Sequence, residues 1–413
     1  MNSFVNIISE KKVYIDKVLI FLLHIFILVI PFSTALSRTS SILVFLFWLF
    51  SSYYINFKTI IEEFPIFKYI IVFITYILIS LFWSDSVNAG IKEIEDYIYW
   101  IVLVPFATIV TKYNYKYFLY SFIFASFISL FISYGLQFNI IHPINKFPIY
   151  WFLDSIDYSI YLCLSSLSLF YLILTLKSST TSKIILIAIF LITVNMLLES
   201  NGRTGQYSFF IGMLYFLFQY FDVNKKIKII SSVMFVLLVF GAYAFNDSAQ
   251  KRFLSAINDI KILINKDNYN SSLGIRYVTA KIALDSSSQK PLFGHGIGDD
   301  YQEYITLIQT KYKKYNEFLM TDEKLIKYRP HSQYAFVSYR LGLVGFVLFL
   351  LLLYKMYNLN ILETEYNKLF TSIMLVLTFS MLFNNVLKST LTTAMFLVFI
   401  GIAIGLSRKN IHS

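Results

Sequence analysis

Charge and cysteine are both scarce in this sequence. Only 14% of its 413 residues are Asp, Glu, Lys or Arg, against about 25% in a soluble chain. With 57% hydrophobic and 19% aromatic residues and a mean hydropathy of +0.64, this deficit excludes a soluble multidomain protein. Such a protein would need several cores and would not repeat apolar runs near span length. The one cysteine, Cys163, excludes an intrachain disulfide and a zinc-type cysteine cluster; inside an apolar run it reads as small core filler. No Ala-x-Ala-like cleavage site follows the first apolar run, so Val18–Ile30 is expected to be a retained helix. Internal repeats and low-complexity segments are also missing. The net charge of +11 does not point to nucleic acid, because most basic residues sit in short loops. There they act as topology signals and contacts to membrane lipids.

What the sequence has is a succession of apolar runs. Twelve spans are expected, near 17–36, 40–55, 66–83, 97–110, 117–138, 156–176, 183–198, 204–221, 227–245, 332–354, 369–386 and 389–406. The last two are separated at Asn384, Asn385 and Lys388, which are costly at mid-bilayer and suit a surface turn. The N-terminus, every second loop and the C-terminus are rich in Lys and Arg, with Lys225, Lys226 and Lys228 as one cluster. The alternate short loops hold only Arg38, Lys92, Lys146, Arg203 and Lys388, and are acidic. By the positive-inside rule both termini are cytoplasmic. The expected fold is an all-α polytopic membrane protein: spans one to nine over 1–245, a large outer loop over 246–331, and spans ten to twelve with a cytoplasmic tail over 332–413.

The outer loop is charge-balanced, with thirteen Lys/Arg against ten Asp/Glu. Phe253, Ile257, Ile260 and Ile264 are spaced as one helix face, and so are Tyr277, Ala280 and Leu284. A further helix is expected over 299–315, making the loop mainly helical. Four motifs on this side of the membrane bear on chemistry. Ser200-Asn201-Gly202-Arg203-Thr204-Gly205 places an arginine at the bilayer edge between glycines that allow close backbone approach. It also fits a tight interhelical turn. Leu273-Gly274-Ile275-Arg276 presents a guanidinium, whose planar fork of donors matches phosphate oxygens; its structural reading is a solvated arginine. Gly294-His295-Gly296-Ile297-Gly298-Asp299-Asp300 has no preceding strand and no P-loop lysine, so a tight turn competes with phosphate binding at Gly294 and Gly296. Asp299 and Asp300 lack a second carboxylate cluster with which to hold a metal. His295 is a weak ligand candidate. Pro330-His331-Ser332-Gln333-Tyr334 sets an imidazole at a membrane surface, where it can exchange a proton near neutral pH or serve structure alone. Topology places Arg203, Arg276 and His331 on one side, and two cations beside a base suit a reaction that expels a pyrophosphate.

The order of these motifs, Ser200–Thr204, Leu273–Arg276, Pro291–Gly296, His331–Tyr334 and then Gly342–Gly345, resembles that of the bacterial O-antigen ligase family. That family lies in a broader group with O-antigen polymerases and some protein O-oligosaccharyltransferases. The resemblance implies a glycosyltransferase of the bacterial inner membrane with its active site facing the periplasm. It implies a donor glycan on undecaprenyl diphosphate, a lipid A–core acceptor, and inverting, metal-independent chemistry without a cofactor. Arg203 and Arg276 would bind the diphosphate and His331 would be the essential histidine. Lys388 and Arg38, on the same face, are secondary candidates for lipid phosphates. Asn-Gly-Arg stands where the family commonly has a Ser/Thr-Arg pair, and His-Ser where His-Asn is common. Both departures leave a polymerase joining carrier-linked repeat units open. A lipid-linked glycan flippase is the alternative of another class, but transporters tend to place charges at mid-membrane, whereas here they lie at span ends.

Overall fold

The computed structural model describes residues 2–51, 57–142, 153–221, 225–244, 247–266, 271–299, 301–315, 319–322, 325–326 and 329–408. They form an all-α architecture. Its helices are α1 (Asn2–Val29), α2 (Thr34–Phe50), α3 (Phe57–Glu63), α4 (Ile66–Ile79), α5 (Val87–Ile94), α6 (Leu103–Val110), α7 (Lys116–Gln137), α8 (Ser155–Thr175), α9 (Thr180–Glu199), α10 (Arg203–Tyr220), α11 (Lys225–Ala244), α12 (Asp247–Lys266), α13 (Ser272–Ser287), α14 (Gln302–Gln309), α15 (Gln333–Tyr357), α16 (Thr364–Phe383) and α17 (Thr390–Leu406). The chain is a multi-pass membrane protein. Among the described residues six helices are long and apolar enough to cross a bilayer: Ile66–Trp83, Lys116–Gln137, Ser155–Thr175, Thr180–Glu199, Gln333–Tyr357 and Thr364–Phe383.

Six of the twelve expected spans fall on these helices; the others are helical over much or all of their described length, and 52–55 and 245 lie outside the described residues. The fourth is broken, with a 3-10 helix over Glu95–Val102 running into the short α6. α2 and α17 are 17 residues each. Polar residues dilute α10 (Gln206, Gln219) and the start of α11 (Lys225, Lys226, Lys228). α8 is the buried centre of the bundle, whereas α9 faces outward along most of its length. With no water to serve them, the α8 hydroxyls turn back on their own helix: Ser165, Ser166 and Ser168 donate to the carbonyls of Tyr161, Leu162 and Leu164, each at 2.8 Å.

The described residues between α11 and α15 are mainly helical, as the periodicity of the segment indicates. α12 and α13 cover the two expected stretches. The third helix is shorter than expected, Gln302–Gln309, followed by a 3-10 turn at Lys313–Tyr315. It starts after Tyr301 in a left-handed conformation (φ 62°). Two short strands, Met320–Asp322 and Leu325–Ile326, pair antiparallel. This cap has its own apolar core, in which Val278, Ile282 and Ala283 of α13 meet Tyr304 and Ile308 of α14. Ala335 and Tyr339 of α15 belong to the same cluster, so the cap is seated on a membrane helix.

α15 is interrupted at Gly342, whose φ and ψ are 64° and −165°. A break in an apolar helix exposes backbone groups that need partners. The loop Pro291–Gly296 supplies them. Leu343 and Val344 donate to the carbonyls of Pro291 (2.8 Å) and Leu292 (3.1 Å), while His295 and Gly296 donate to those of Tyr339 (3.1 Å) and Arg340 (2.8 Å). The Tyr76 hydroxyl serves the Leu341 carbonyl at 2.9 Å.

Candidate functional site

Four segments meet at one end of the bundle: the α9–α10 turn, the α12–α13 pair, the approach to α15, and the α16–α17 turn. Arg203 is the first residue of α10. The preceding turn is tight because Gln206 Nε2 donates to the carbonyls of Leu197 (3.1 Å), Leu198 (3.1 Å) and Ser200 (3.0 Å), which α9 leaves unmatched at its end. A Cβ at Gly202 would lie 2.1 Å from Ser159 Oγ, and one at Gly205 would lie 2.2 Å from the Ser159 backbone carbon. These glycines therefore let α10 pack against α8; they do not clear room for a ligand backbone. Arg203 turns away from that contact. It donates to Asp259 Oδ2 and to Ser255 Oγ of α12, both at 2.9 Å.

Arg276 lies in the second turn of α13, whose start is capped by Ser271 Oγ accepting from Gly274 N–H at 3.1 Å. Its side chain is partly buried, and among the described residues its guanidinium has neither a hydrogen-bond nor an ion-pair partner. Burial, and after it the charge of Arg203, depress its pKa, while Asp259 opposes the shift. It stays protonated, since arginine begins far above neutrality. His331 precedes the N-cap Ser332, which accepts from Ala335 N–H at 3.5 Å. Pro330 on its other side is held through its carbonyl by Asn385 Nδ2 (2.5 Å), and Gln333 Oε1 accepts from Leu387 N–H (3.0 Å). Burial first, and the neighbouring Arg276 charge second, push the imidazole pKa below its ordinary 6.5. The structure thus places Arg276 within electrostatic reach of both Arg203 and His331. The arrangement is two cations, one carboxylate and a neutral imidazole, with access to solvent. It suits an oxyanion at the guanidinium groups and a proton acceptor beside it.

The remaining candidates lie outside this cluster or have partners of their own in the fold. Lys388 is engaged by Glu93 through both carboxylate oxygens, at 2.5 and 2.6 Å. Glu93 also meets Arg329 at 3.6 Å and the fully buried Arg340 at 3.9 Å. Arg38 pairs with Glu95 at 3.4 Å. Both secondary cations thus have resident acidic partners, and a lipid phosphate would have to displace a carboxylate. Gly294 and Gly296 line the break in α15 and do not open a cradle. A Cβ at Gly294 would meet Gly342 N at 2.4 Å, and one at Gly296 would meet Ser84 Oγ at 2.3 Å. The space a ligand would need holds protein backbone. His295 is buried, with Nε2 3.1 Å from the Ser286 carbonyl and its ring against Tyr339, so it belongs to the core. Asp299 accepts from the Tyr339 hydroxyl and from Tyr301 N–H (2.8 Å). Asp300 lies outside the described residues. Among the described residues no three His, Cys, Asp or Glu side chains converge as metal ligands.

Sequence reasoning missed Asp259 and Ser255. Both lie on α12, an amphipathic helix without a motif, and only the fold carries them to Arg203. It also missed the α16–α17 turn as scaffolding. Asn384 donates to Thr204 Oγ1 (2.8 Å), so this turn ties the Arg203 segment to the His331 segment. Asn384 and Asn385 were visible as polar residues between apolar runs, but their partners were not.

Comparison with known proteins agrees with the motif order. Residues 186–350, from α9 to α15, match the family model described as O-Antigen ligase. A protein of Haemophilus influenzae, described as uncharacterized, is 31% identical over 166 residues. That match covers 38% of this chain and 39% of the relative, well under half the length of each.

Proposed function

We propose that this O-antigen-ligase-family protein is a membrane glycosyltransferase that moves a glycan from undecaprenyl diphosphate to lipid A–core at the periplasmic face of the inner membrane. One observation carries the proposal: among the described residues a partly buried arginine, Arg276, has no ion-pair partner of its own, and it lies near a second arginine and an imidazole whose pKa is lowered. An unpaired buried cation is costly unless a ligand completes it. The diphosphate would complete it through bidentate guanidinium contacts. In the reaction His331 takes the proton of the acceptor hydroxyl as that oxygen bonds to the anomeric carbon. The bond from that carbon to the donor phosphate breaks, and the charge appearing on the leaving diphosphate is stabilised by Arg276 and Arg203. A single displacement inverts the anomeric centre. The charge work falls to arginines, so transfer is expected to survive excess EDTA.

The test pairs binding with transfer. Arg276→Lys keeps the charge but loses the planar fork. Losing one hydrogen bond to a charged group, about 1.5–3 kcal/mol, should slow transfer roughly ten- to a hundredfold. His331→Ala should retain donor binding and lose transfer. Wild-type transfer by Arg276→Lys would reduce that arginine to an interfacial anchor. Lipopolysaccharide gels of a knockout identify the acceptor. Bare core with polymer accumulated on the carrier marks a ligase, while a single repeat unit on core marks a polymerase.

A further inference from the structure

The chain holds a carboxylate where the proposed donor would place a phosphate. Asp259 is 8% exposed and receives Arg203 Nη1 at 2.9 Å, while Ser255, one helical turn earlier, receives Nη2 at 2.9 Å. The same carboxylate lies near enough to Arg276 to oppose the depression of its pKa. Two adjacent, partly buried guanidinium groups repel each other, and one carboxylate cannot neutralise both. Asp259 is therefore shared unequally: hydrogen-bonded to Arg203 and only electrostatically felt by Arg276. The two arginines are inequivalent before any ligand arrives. One is open, and the other is occupied by a side chain of α12.

Resting on the donor site proposed above, we infer that Asp259 is a resident counter-ion which the second phosphoryl group of the donor displaces from Arg203. The first phosphoryl group meets the open Arg276 and needs no displacement. The second reaches Arg203 only in competition with Asp259, whose charge has the same sign and which must leave the guanidinium edge it occupies. Asp259 would keep Arg203 desolvated, oriented and neutralised between turnovers, and α12 would loosen when the diphosphate is bound. Asp259 is thus a positioning residue acting through Arg203. Binding of a monophosphate should depend on it only weakly, through its field at Arg276, whereas binding of a diphosphate should depend on it strongly.

The two sizes of anion provide the experiment. Inorganic phosphate and inorganic pyrophosphate are titrated against the full-length protein in detergent, as wild type and as Asp259→Asn, Asp259→Glu and Arg276→Ala. Asp259→Asn keeps the shape of the side chain and removes the competing charge. It should tighten pyrophosphate on the order of tenfold and phosphate far less, because phosphate at Arg276 feels only the field of Asp259 and displaces nothing. Asp259→Glu, which restores the charge, should bind pyrophosphate about as weakly as wild type. Arg276→Ala should lose both anions. If Asp259→Asn weakens pyrophosphate, Asp259 is needed to hold Arg203 in place and the displacement is wrong. If it tightens both anions alike, its charge acts only through the general field and the displacement is again wrong. In either case Arg276-dependent binding leaves the donor site standing. If pyrophosphate binding is indifferent to Arg276→Ala, the donor site itself fails, and this inference falls with it.

Discussion

Arg276 helps to set the chemistry of His331. Burial disfavours the imidazolium, and the adjacent guanidinium disfavours it further, so the histidine stays neutral to a lower pH than its ordinary 6.5. A base that must be neutral loses activity as pH falls through its pKa, so the acid limb of the transfer profile is expected below pH 6.5. Replacing Arg276 with glutamine removes the repelling charge and leaves the burial. The pKa of His331 should then rise and the acid limb move to higher pH. Transfer measured against pH at saturating donor checks this, and an unmoved or lowered limb would show that His331 is not the titrating base. At this scale the sequence singled out Arg203, Arg276 and His331 from compact motifs, and the fold brings their segments to one end of the bundle; their roles remain the proposal made above. It could not show the ion pairs of Lys388 and Arg38, whose partners Glu93 and Glu95 lie hundreds and tens of residues away. A free cation and an ion-paired one look the same in a sequence.

The glycine-rich motif and the Gly-Leu-x-Gly motif become intelligible together, as two halves of one device. α15 needs a break, and the loop Pro291–Gly296 supplies the hydrogen bonds that the break removes. Gly294 (φ 69°) and Gly342 (φ 64°) approach so closely that a Cβ on either would lie 2.4 Å from the backbone nitrogen of the other. Alanine at Gly294 must adopt a left-handed conformation and also push the helix away, a strain of about 1–3 kcal/mol before any clash is counted. Thermal unfolding in detergent should show a clear loss of stability for Gly294→Ala. It should show none for Gly241→Ala, whose Cβ would meet nothing within 4 Å and which gains helix propensity. Equal melting temperatures for the two variants would contradict the docking of loop on helix. Helical periodicity made α12 and α13 legible. The turn chemistry of 291–298 was legible as a turn, but its function was not, because its partner is a break more than forty residues downstream that hydropathy reads as one continuous span.

At the scale of the whole molecule the two ends of the bundle differ in chemistry. One end gathers Arg203, Arg276, His331 and the Asn384–Ser389 turn. At the other, Gln219 of α10 accepts from Thr371 of α16 at 3.1 Å, Lys368 lies over the Tyr220 ring at 4.9 Å, and the hydroxyls of Tyr215 and Tyr357 meet. The ends of α10 and α15 and the start of α16 therefore share the face that also bears Lys225, Lys226 and Lys355. By the positive-inside rule a face with that excess of Lys in its short loops is expected in the cytoplasm, and the proposed function needs the arginine–histidine site on the opposite, outer side. The packing makes the sidedness testable without fusions. Cys163, the chain's one cysteine, is fully buried, so single cysteines can report alone in a Cys163→Ala background. In right-side-out spheroplasts a membrane-impermeant maleimide should label Ser288→Cys on the cap. It should not label Lys226→Cys or Thr364→Cys until the membrane is opened. All three positions are exposed in the fold, so failure to react reports the membrane and not burial. Labelling of Lys226→Cys and Thr364→Cys in intact spheroplasts, with Ser288→Cys protected, would invert the protein. Arg203, Arg276 and His331 would then face the compartment that holds no assembled glycan, and the transferase proposal would fail on topology alone.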